Sequence, residues 1–216
     1  MRYILDSKVH LCFLDSKILK SLNPGVNNIF APLPSQLSTT DDSPYITIKS
    51  PVCSKLNFPK AKLDGRVNWG VAKASDPIPS TCNLYYFEVK ILNDGKTKEI
   101  EIGIATDKLN YTKNVGYKEN CIGYRGNDGK LYEWNQQNAG REYGETFGKD
   151  DVIGCGVNSQ TKNVFFTKNG MIIGLTNKPF DANKNWFPAV SLHSKNAKVE
   201  INFGEDLFLF NICKYL

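Results

Sequence analysis

Apolar and polar residues alternate with a period of two from Tyr45 onward, over short stretches that end in turn-forming residues. Strict alternation of this kind predicts β-strands with one buried face. The clearest strands are KEIEIGIAT at 98–106, which alternates, and LYYFEVKIL at 84–92, a long β-branched and aromatic run. A 3.6-residue helical period is present only weakly, in the first 22 residues. Ten or so short strands separated by turns predict an all-β fold, a two-sheet antiparallel β-sandwich.

Two of the turns can be assigned from composition. The tetrapeptide NDGK at 93–96 lies between the two clearest strands and predicts a hairpin turn. The pair Asn169-Gly170 separates VFFTK from MIIGL, and both residues tolerate positive φ, which predicts a type I′ hairpin. That turn sets the predicted pairs as Lys168 with Met171, Thr167 with Ile172, and Phe166 with Ile173. Phe166 and Ile173 are expected to share one face.

The first 44 residues differ from the rest of the chain. Residues 23–44 contain four prolines and many Ser, Thr, Asn and Asp residues, which predicts a linker or an extended arm. We therefore expect an N-terminal arm and linker at 1–44 and one domain at 45–216, a length that suits a single all-β domain. The arm could pair along the sheet or fill a binding pocket.

Composition narrows the function classes. With 41% hydrophobic and 23% charged residues, the chain has enough apolar material for a normal core. The net charge of +5 comes from scattered lysines, so nucleic-acid binding is not expected. Asp6, Lys8, Asp15 and Lys17 interrupt any signal-peptide core, and no run of about 20 apolar residues indicates a membrane span.

The cysteines favour a reducing compartment. The six cysteines form no C-x-x-C pair and no metal-ligand spacing, so reduced, mostly buried thiols are expected and no metal or cofactor is predicted. We expect a cytoplasmic or nuclear protein.

The segment DVIGCGVN at 151–158 raises two chemical alternatives. A phosphate-binding glycine loop requires a strand followed by a helix N-terminus, which this segment lacks. Cys155 as a nucleophile would need a base, and the chain offers only His10 and His193. Core packing of Cys155 is favoured, with Gly154 and Gly156 giving room to a neighbouring backbone or ring. The acidic pairs Asp41-Asp42 and Asp150-Asp151 are expected to be solvated turn carboxylates.

Aromatic residues near turns are the remaining functional signal. An exposed ring can anchor a peptide, whereas a buried ring belongs to the core, and both interpretations stay open for each residue. The residues concerned are Tyr124, Tyr132, Trp134, Tyr143 and Trp186.

An ordered series of motifs covers most of the chain, from about Tyr45 to Ile212. The series comprises SDPIPSTCNLYYFEVKI, EIGIAT, GYKENCIGYRGNDGKLY, REYGETFGKDDVIGCGVN, VFFTKNGMIIG, WFPAVSL and VEINFGEDLFLFNI. In this order they resemble the SPRY domain family, of the Ran-binding-protein-M type. This chain has IGYRGNDG where the family commonly has YGYHGDDG, so one aromatic residue and one histidine are replaced.

The resemblance implies a bent β-sandwich that binds proteins and has no catalytic activity. It implies a peptide-binding site formed by loops at one edge of the sandwich, and a protein that is a monomer on its own. Carried over by motif, the site residues are Ala74, Ser75, Asp76, Pro77, Tyr124, Arg125, Tyr132, His193 and Ser194. Tyr132 would supply an apolar face and a hydroxyl, Arg125 a charged donor, and the loop backbones hydrogen bonds.

The wider role implied by the resemblance has alternatives. Ran-binding-protein-M scaffolds continue into helical LisH and CTLH regions that place them in a ubiquitin-ligase complex. This sequence ends at Leu216, so we expect an adaptor or competitor, with ubiquitin-ligase substrate recruitment as one use. The alternatives are a cysteine-dependent enzyme that uses Cys155 and His193, a purely structural domain, and a secreted SPRY effector like those of plant-parasitic nematodes.

Overall fold

A computed structural model describes residues 33–38, 40, 43, 45–48, 69–108, 115–117, 121–133, 139–176 and 179–212, and the backbone of 55–57. These residues include a 3₁₀ turn, Val115–Tyr117, and no helix with the length and apolarity to span a membrane. The strands are β1 (Thr47–Ile48), β2 (Lys55–Asn57), β3 (Gly70–Lys73), β4 (Leu84–Asn93), β5 (Ile100–Thr106), β6 (Cys121–Arg125), β7 (Lys130–Glu133), β8 (Arg141–Glu142), β9 (Val152–Asn158), β10 (Asn163–Lys168), β11 (Met171–Leu175), β12 (Trp186–Leu192) and β13 (Lys198–Asn202).

The strands form two antiparallel sheets. A seven-stranded sheet has the order β1-β2-β13-β4-β9-β10-β11, and a six-stranded sheet has the order β3-β12-β5-β6-β7-β8. The main hydrophobic core contains inward-facing residues of both sheets, among them Phe87, Ile102, Cys155 and Val190. The predicted two-sheet β-sandwich is therefore confirmed.

The outer faces of the two sheets are also covered in part. On the seven-stranded sheet, Phe208 and Ile212 of the C-terminal segment pack against Tyr86 and Phe165 in a second apolar cluster. On the six-stranded sheet, Val115 of the 3₁₀ turn packs in a third cluster with Val71, Ala105, Cys121 and Ala189. This covering explains why β5 is buried along its whole length although its sequence alternates.

The turn at 93–96 does not form the predicted hairpin. β4 belongs to the seven-stranded sheet and β5 to the six-stranded sheet, so this turn carries the chain from one sheet to the other. The Ser194 hydroxyl holds the turn by accepting hydrogen bonds from the backbone N–H groups of Lys96, at 2.6 Å, and Thr97, at 3.0 Å. Composition predicts a turn here correctly, but it does not show that the two strands belong to different sheets.

The Asn169-Gly170 hairpin is present, with φ of 51° and 79° at these two residues. The predicted pairs Lys168 with Met171 and Thr167 with Ile172 are confirmed. The pair Phe166 with Ile173 is wrong, because a bulge shifts the register and Phe166 pairs with Gly174. Both Phe166 and Ile173 still pack on the main core, as predicted.

The segment at 151–158 is β9 and its flank, and its glycines are required by close packing. A Cβ at Gly154 would overlap the Tyr86 hydroxyl, and one at Gly156 would overlap the Phe165 ring. Cys155 is fully buried and pairs in register with Phe87 on one side and Phe166 on the other. The interpretation of this segment as core packing is confirmed.

Residues 33–38 lie against the domain although they precede the predicted boundary at residue 45. Leu37 is buried in the main core and forms a bridge with Ala74, just beyond β3 at the edge of the six-stranded sheet. The Tyr85 hydroxyl donates to the Pro34 carbonyl at 2.7 Å. His10, the Asp41-Asp42 pair, Trp134 and the cysteines at 12, 53 and 213 lie outside the described residues.

Candidate functional site

Strand register places a row of charged and aromatic residues on the outer face of the six-stranded sheet. Ser191 of β12 pairs with Val71 of β3 and with Glu101 of β5, and Glu101 pairs with Arg125 of β6. Glu101 faces away from the main core because its neighbours Ile100 and Ile102 face inward. Just beyond the ends of these strands, the same face carries Trp69, His193 and Glu99.

Four side chains on this face stack on one another in the order His193, Trp69, Arg125 and Tyr132. We call these four residues the aromatic row. The Trp69 and His193 rings are nearly parallel, with centroids 4.6 Å apart. The Arg125 guanidinium carbon lies 5.2 Å from the Trp69 ring centroid and 3.6 Å from that of Tyr132. All four residues are partly exposed, so the edges of the stacked groups remain accessible at the surface.

A buried carboxylate fixes the cation of the row. Glu101 is fully buried, and its Oε2 accepts hydrogen bonds from Arg125 Nε at 3.0 Å and Nη2 at 2.9 Å. Its Oε1 accepts from the backbone N–H of Gly116 in the 3₁₀ turn. The two-point contact holds the guanidinium in one plane, between the rings of Trp69 and Tyr132.

Two further carboxylates lie at the ends of the row. Asp128 accepts a hydrogen bond from the Tyr132 hydroxyl at 2.7 Å, and Glu99 hydrogen-bonds to Nδ1 of His193. Burial and the bond to Asp128 raise the pKa of Tyr132 to about 12, so its phenol stays protonated and a donor at neutral pH. Aromatic edges beside carboxylate acceptors can contact the side chains and N–H groups of an extended peptide.

The structure brings together three of the residues assigned from the resemblance: Arg125, Tyr132 and His193. Ser194 is adjacent, but it is buried and its hydroxyl holds the turn at 96–97. Its side chain therefore has a structural task within the domain.

The segment Ala74 to Pro77 lies away from the aromatic row. The Ala74 N–H bonds to the carbonyl of Pro188, which precedes His193 on the chain by five residues, or about 16 Å of extended strand. Ala74 is buried, and the Ser75 hydroxyl donates to the neighbouring Asp76 at 2.7 Å. The expected grouping of this segment with Arg125, Tyr132 and His193 at one site is not found.

Tyr124 and Trp186 are core residues and do not offer exposed rings. Tyr124 is fully buried against Phe147 and Phe166, its hydroxyl donates to the Glu145 carbonyl, and burial raises its pKa. Trp186 is buried, and its indole N–H bonds to the Asp181 carbonyl at 2.7 Å. Tyr124 points inward because it neighbours the outward-facing Arg125, and side chains alternate along a strand.

Sequence analysis did not assign Trp69, Glu99 or Glu101 to the site. A signal was present, since KEIEIGIAT places two glutamates on one face of a strand whose other face carries Ile100, Ile102 and Ile104. A buried strand rarely carries a carboxylate on either face unless a partner neutralises it. No sequence signal shows that Trp69 lies opposite His193, because this requires the pairing of β3 with β12.

Cys155 and His193 are not arranged for catalysis. Cys155 lies in the core between the sheets, whereas His193 lies on the outer face of the six-stranded sheet. Burial raises the pKa of the Cys155 thiol well above its usual value of 9.0, which disfavours the thiolate. Cys82 and Cys155 are free, buried thiols, and Cys121 is also buried.

Comparisons with known proteins agree with this architecture. A family model described as SPRY domain matches residues 84–206. The chain is 34% identical over 207 residues to a Ran-binding protein M homolog of Arabidopsis thaliana, covering 96% of this chain and 43% of that protein. It is 34% identical over 200 residues to Ran-binding protein 9 of Homo sapiens, covering 92% of this chain and 26% of that protein. The chain thus spans less than half the length of these relatives.

A solved structure shows the same likeness in three dimensions. A crystal structure of a human SPRY domain superimposes with a TM-score of 0.62 at 27% sequence identity. The match covers 74% of this chain and 95% of that chain.

Proposed function

The chain belongs to the SPRY domain family, and on that basis we propose that it is a non-enzymatic adaptor that binds a short peptide segment of a partner protein at the aromatic row. The observation that carries the proposal is the series of stacked, partly exposed side chains of His193, Trp69, Arg125 and Tyr132. Arg125 and Tyr132 lie on strands and His193 directly follows one, so the site needs little ordering when a partner binds.

The chemistry of the row suits a peptide. Aromatic and Arg side chains dominate binding energy at protein interfaces because they bury large areas and keep polar tips. The carboxylates of Glu99 and Asp128 are partly exposed and can accept hydrogen bonds from peptide N–H groups or from a cationic side chain. Glu101 acts through Arg125 and is a positioning residue.

The test compares capture of partner proteins by the intact domain and by variants. Tyr132→Ala and Trp69→Ala should each reduce capture at least about fivefold, as expected when an interface anchor worth more than about 1 kcal/mol is lost. Captured proteins are quantified by mass spectrometry, and a peptide array of each captured protein identifies the bound segment. Urea unfolding of each variant confirms that the domain still folds.

The matched control is Ser75→Ala, which removes a polar side chain from the segment at the other end of the strands. It should leave capture unchanged if the site is the aromatic row. Loss of capture in Ser75→Ala with full capture in Tyr132→Ala would contradict the proposal and would favour the segment 74–77.

Thiol labelling tests the alternative that the protein is a cysteine enzyme. Iodoacetamide should leave Cys155 unmodified in the native protein and modify it after unfolding. Rapid native labelling of Cys155 would revive the enzyme alternative. Recruitment of a ubiquitin-ligase substrate, a cytoplasmic or nuclear location and a monomeric state stay predictions.

A further inference from the structure

The last strand of the seven-stranded sheet has one open edge. β11 pairs with β10 on one side, and no strand among the residues described pairs with its other side. Of the features with which proteins protect such an edge, MIIGL lacks a charged residue and a proline, and it has the bulge opposite Phe166. An open, apolar edge strand is a template for a further strand.

The side chains of β11 are unusually exposed for their type. Met171 is 73% exposed, Ile172 47% and Leu175 45%, whereas most other large apolar residues described in this domain are buried. Ile172 pairs with Thr167 and Leu175 with Phe165, so their side chains share one face of the sheet, whereas Met171 lies on the other face. Exposed apolar surface that is contiguous commonly marks an interaction site.

The backbone of β11 is also available at this edge. In an antiparallel pair, residues alternate between those that bond to the partner strand and those whose N–H and C=O point away. The Thr176 N–H donates to the Val164 carbonyl of β10 at 2.7 Å. The backbone N–H and C=O of the preceding residue, Leu175, therefore point away from β10. At the other end of the strand, Met171 pairs with Lys168 across the turn, so the backbone N–H and C=O of the next residue, Ile172, also point away from β10.

A groove follows the inner side of this edge, between β11 and the segment 143–145. Its volume is about 530 Å³, and Met171, Ile172 and Ile173 form one wall. Tyr143 forms part of the other wall, and its hydroxyl donates to the Gly174 carbonyl at the bulge, which fixes the strand. The groove can receive the alternate side chains of an added strand.

The groove has an excess of negative charge. Its lining includes Glu145 and Asp151 but one basic residue, Lys168, whose ammonium already contacts Glu145 at 3.1 Å and the Thr146 carbonyl at 2.8 Å. The Glu145 side chain is 86% exposed. A ligand with a basic residue beside an apolar stretch complements this lining.

We propose that β11 is a second docking site, which binds an extended apolar peptide segment with a flanking Lys or Arg by adding it as an eighth strand to the sheet. Main-chain hydrogen bonds to Ile172 and Leu175 supply the pairing, and the groove selects the alternate apolar side chains. The basic residue meets Glu145 and Asp151.

This site is separate from the aromatic row. Within β6, Tyr124 points inward and bonds to Glu145 on the wall of the groove, whereas Arg125 points outward into the row. The six-stranded sheet therefore lies between the two surfaces. One partner could bind at each surface.

The test uses a fluorescent six-residue probe, acetyl-Lys-Val-Thr-Ile-Thr-Val-amide, and measures its binding to the whole chain by anisotropy. Two further probes carry N-methyl groups on alternate residues. One is methylated at the first, third and fifth residues, and the other at the second, fourth and sixth. Strand addition predicts that one methylated probe binds at least tenfold more weakly than the unmethylated probe, and that the other binds almost as well. The reason is that only alternate N–H groups of the added strand face β11. Equal binding of both methylated probes would overturn the proposal.

Variants of the edge test its position. Ile172→Lys and Leu175→Lys should each abolish binding of the probe, while Leu209→Lys makes the same change at a residue 56% exposed that lies off the edge strand and should leave it intact. Replacing the Lys of the probe by Glu should weaken binding about fivefold, or about 1 kcal/mol for an exposed pair. Unchanged binding in both edge variants would overturn the proposal.

Two comparisons separate this proposal from its alternatives. Tyr132→Ala should bind the strand probe normally, so the proposal can hold even if the aromatic row fails as a peptide site. Sedimentation velocity of the free chain tests whether a second copy of the chain occupies the edge instead. A concentration-dependent dimer that Ile172→Lys abolishes would overturn the assignment of a foreign peptide, because the edge would then be occupied by a second copy.

Discussion

Individual residues in β9 show how close packing restricts the choice of side chain. Gly154 and Gly156 lie under Tyr86 and Phe165 respectively, on the outer face of the seven-stranded sheet. Their carbons bear no side chain, and the rings occupy the space that a Cβ would need. The glycines thus have a packing role, which their resemblance to a phosphate loop does not indicate.

Substitution of Gly156 by alanine should destabilise the domain by about 2 kcal/mol, because an added methyl group in a filled space strains its neighbours. Phe165→Leu, which shortens the opposing side chain, should recover part of that loss when the two changes are combined. Urea unfolding of the single and double variants measures the coupling between them. Strictly additive effects would show that Phe165 is not the obstructing group.

Glu101 illustrates how one buried residue can serve a surface site. It accepts two hydrogen bonds from Arg125 and one from Gly116, and so connects the aromatic row to the 3₁₀ turn. The cost of burying its charge is offset only because these partners are present. Its presence in an otherwise apolar strand is explained by this contact.

At the scale of secondary-structure elements, the C-terminal segment 203–212 acts as a cover for the outer face of the seven-stranded sheet. The Glu88 carboxylate accepts hydrogen bonds from the backbone N–H groups of Leu209 and Phe210, each at 2.9 Å. The Phe208 ring packs edge-on against Tyr86, with centroids 4.9 Å apart. The segment has little regular structure, and these side-chain contacts attach it to the sheet.

The variant Phe208→Ala should lower the free energy of unfolding by about 3 kcal/mol, the usual cost of removing a buried phenylalanine. Its neighbour Leu209 is 56% exposed, so Leu209→Ala is the control and should change stability by less than about 0.5 kcal/mol. Denaturant midpoints compare the two variants. Equal small effects would mean that the segment does not stabilise the sheet.

The elements also show where local patterns stop being informative. The aromatic and β-branched run at 84–92 and the alternation in 98–106 identify β4 and β5 correctly, but they do not show that these strands belong to different sheets. The hairpin at Asn169-Gly170 sets the first two pairs of β10 and β11, and the bulge beyond them depends on Tyr143, which is distant in sequence. Long-range packing decided both features.

At the scale of the whole molecule, the sandwich buries several weak acids in neutral form. Burial raises the pKa of Cys82 from its usual 9.0 to about 12, and also raises the pKa values of Cys155, Tyr85 and Tyr86. These groups hold their protons more tightly in the folded protein than in the unfolded chain. Their contribution to stability is therefore complete below pH 9 and declines above it.

We expect the free energy of unfolding to fall as the pH rises above about 9, by about 1.4 kcal/mol per pH unit for each group that ionises only in the unfolded chain. Urea unfolding under reducing conditions from pH 7 to 10.5 measures this decline. Cys155→Ala should show a shallower decline between pH 9 and 10 than the unsubstituted chain. A stability that is constant up to pH 10.5 would contradict the expectation.

The sequence by itself determined the class of fold, the positions of most strands and the family, because alternation, turn residues and motif order are local properties. It also predicted Arg125, Tyr132 and His193 as members of one peptide-binding site, and their side chains lie in one row. Only the tertiary structure showed that Trp69 joins them, that Tyr124 and Ala74 are buried, and that residues 74–77 lie at the other end of the strands. Those facts depend on which strands become neighbours, and burial of the whole chain, not any local pattern, decides that pairing.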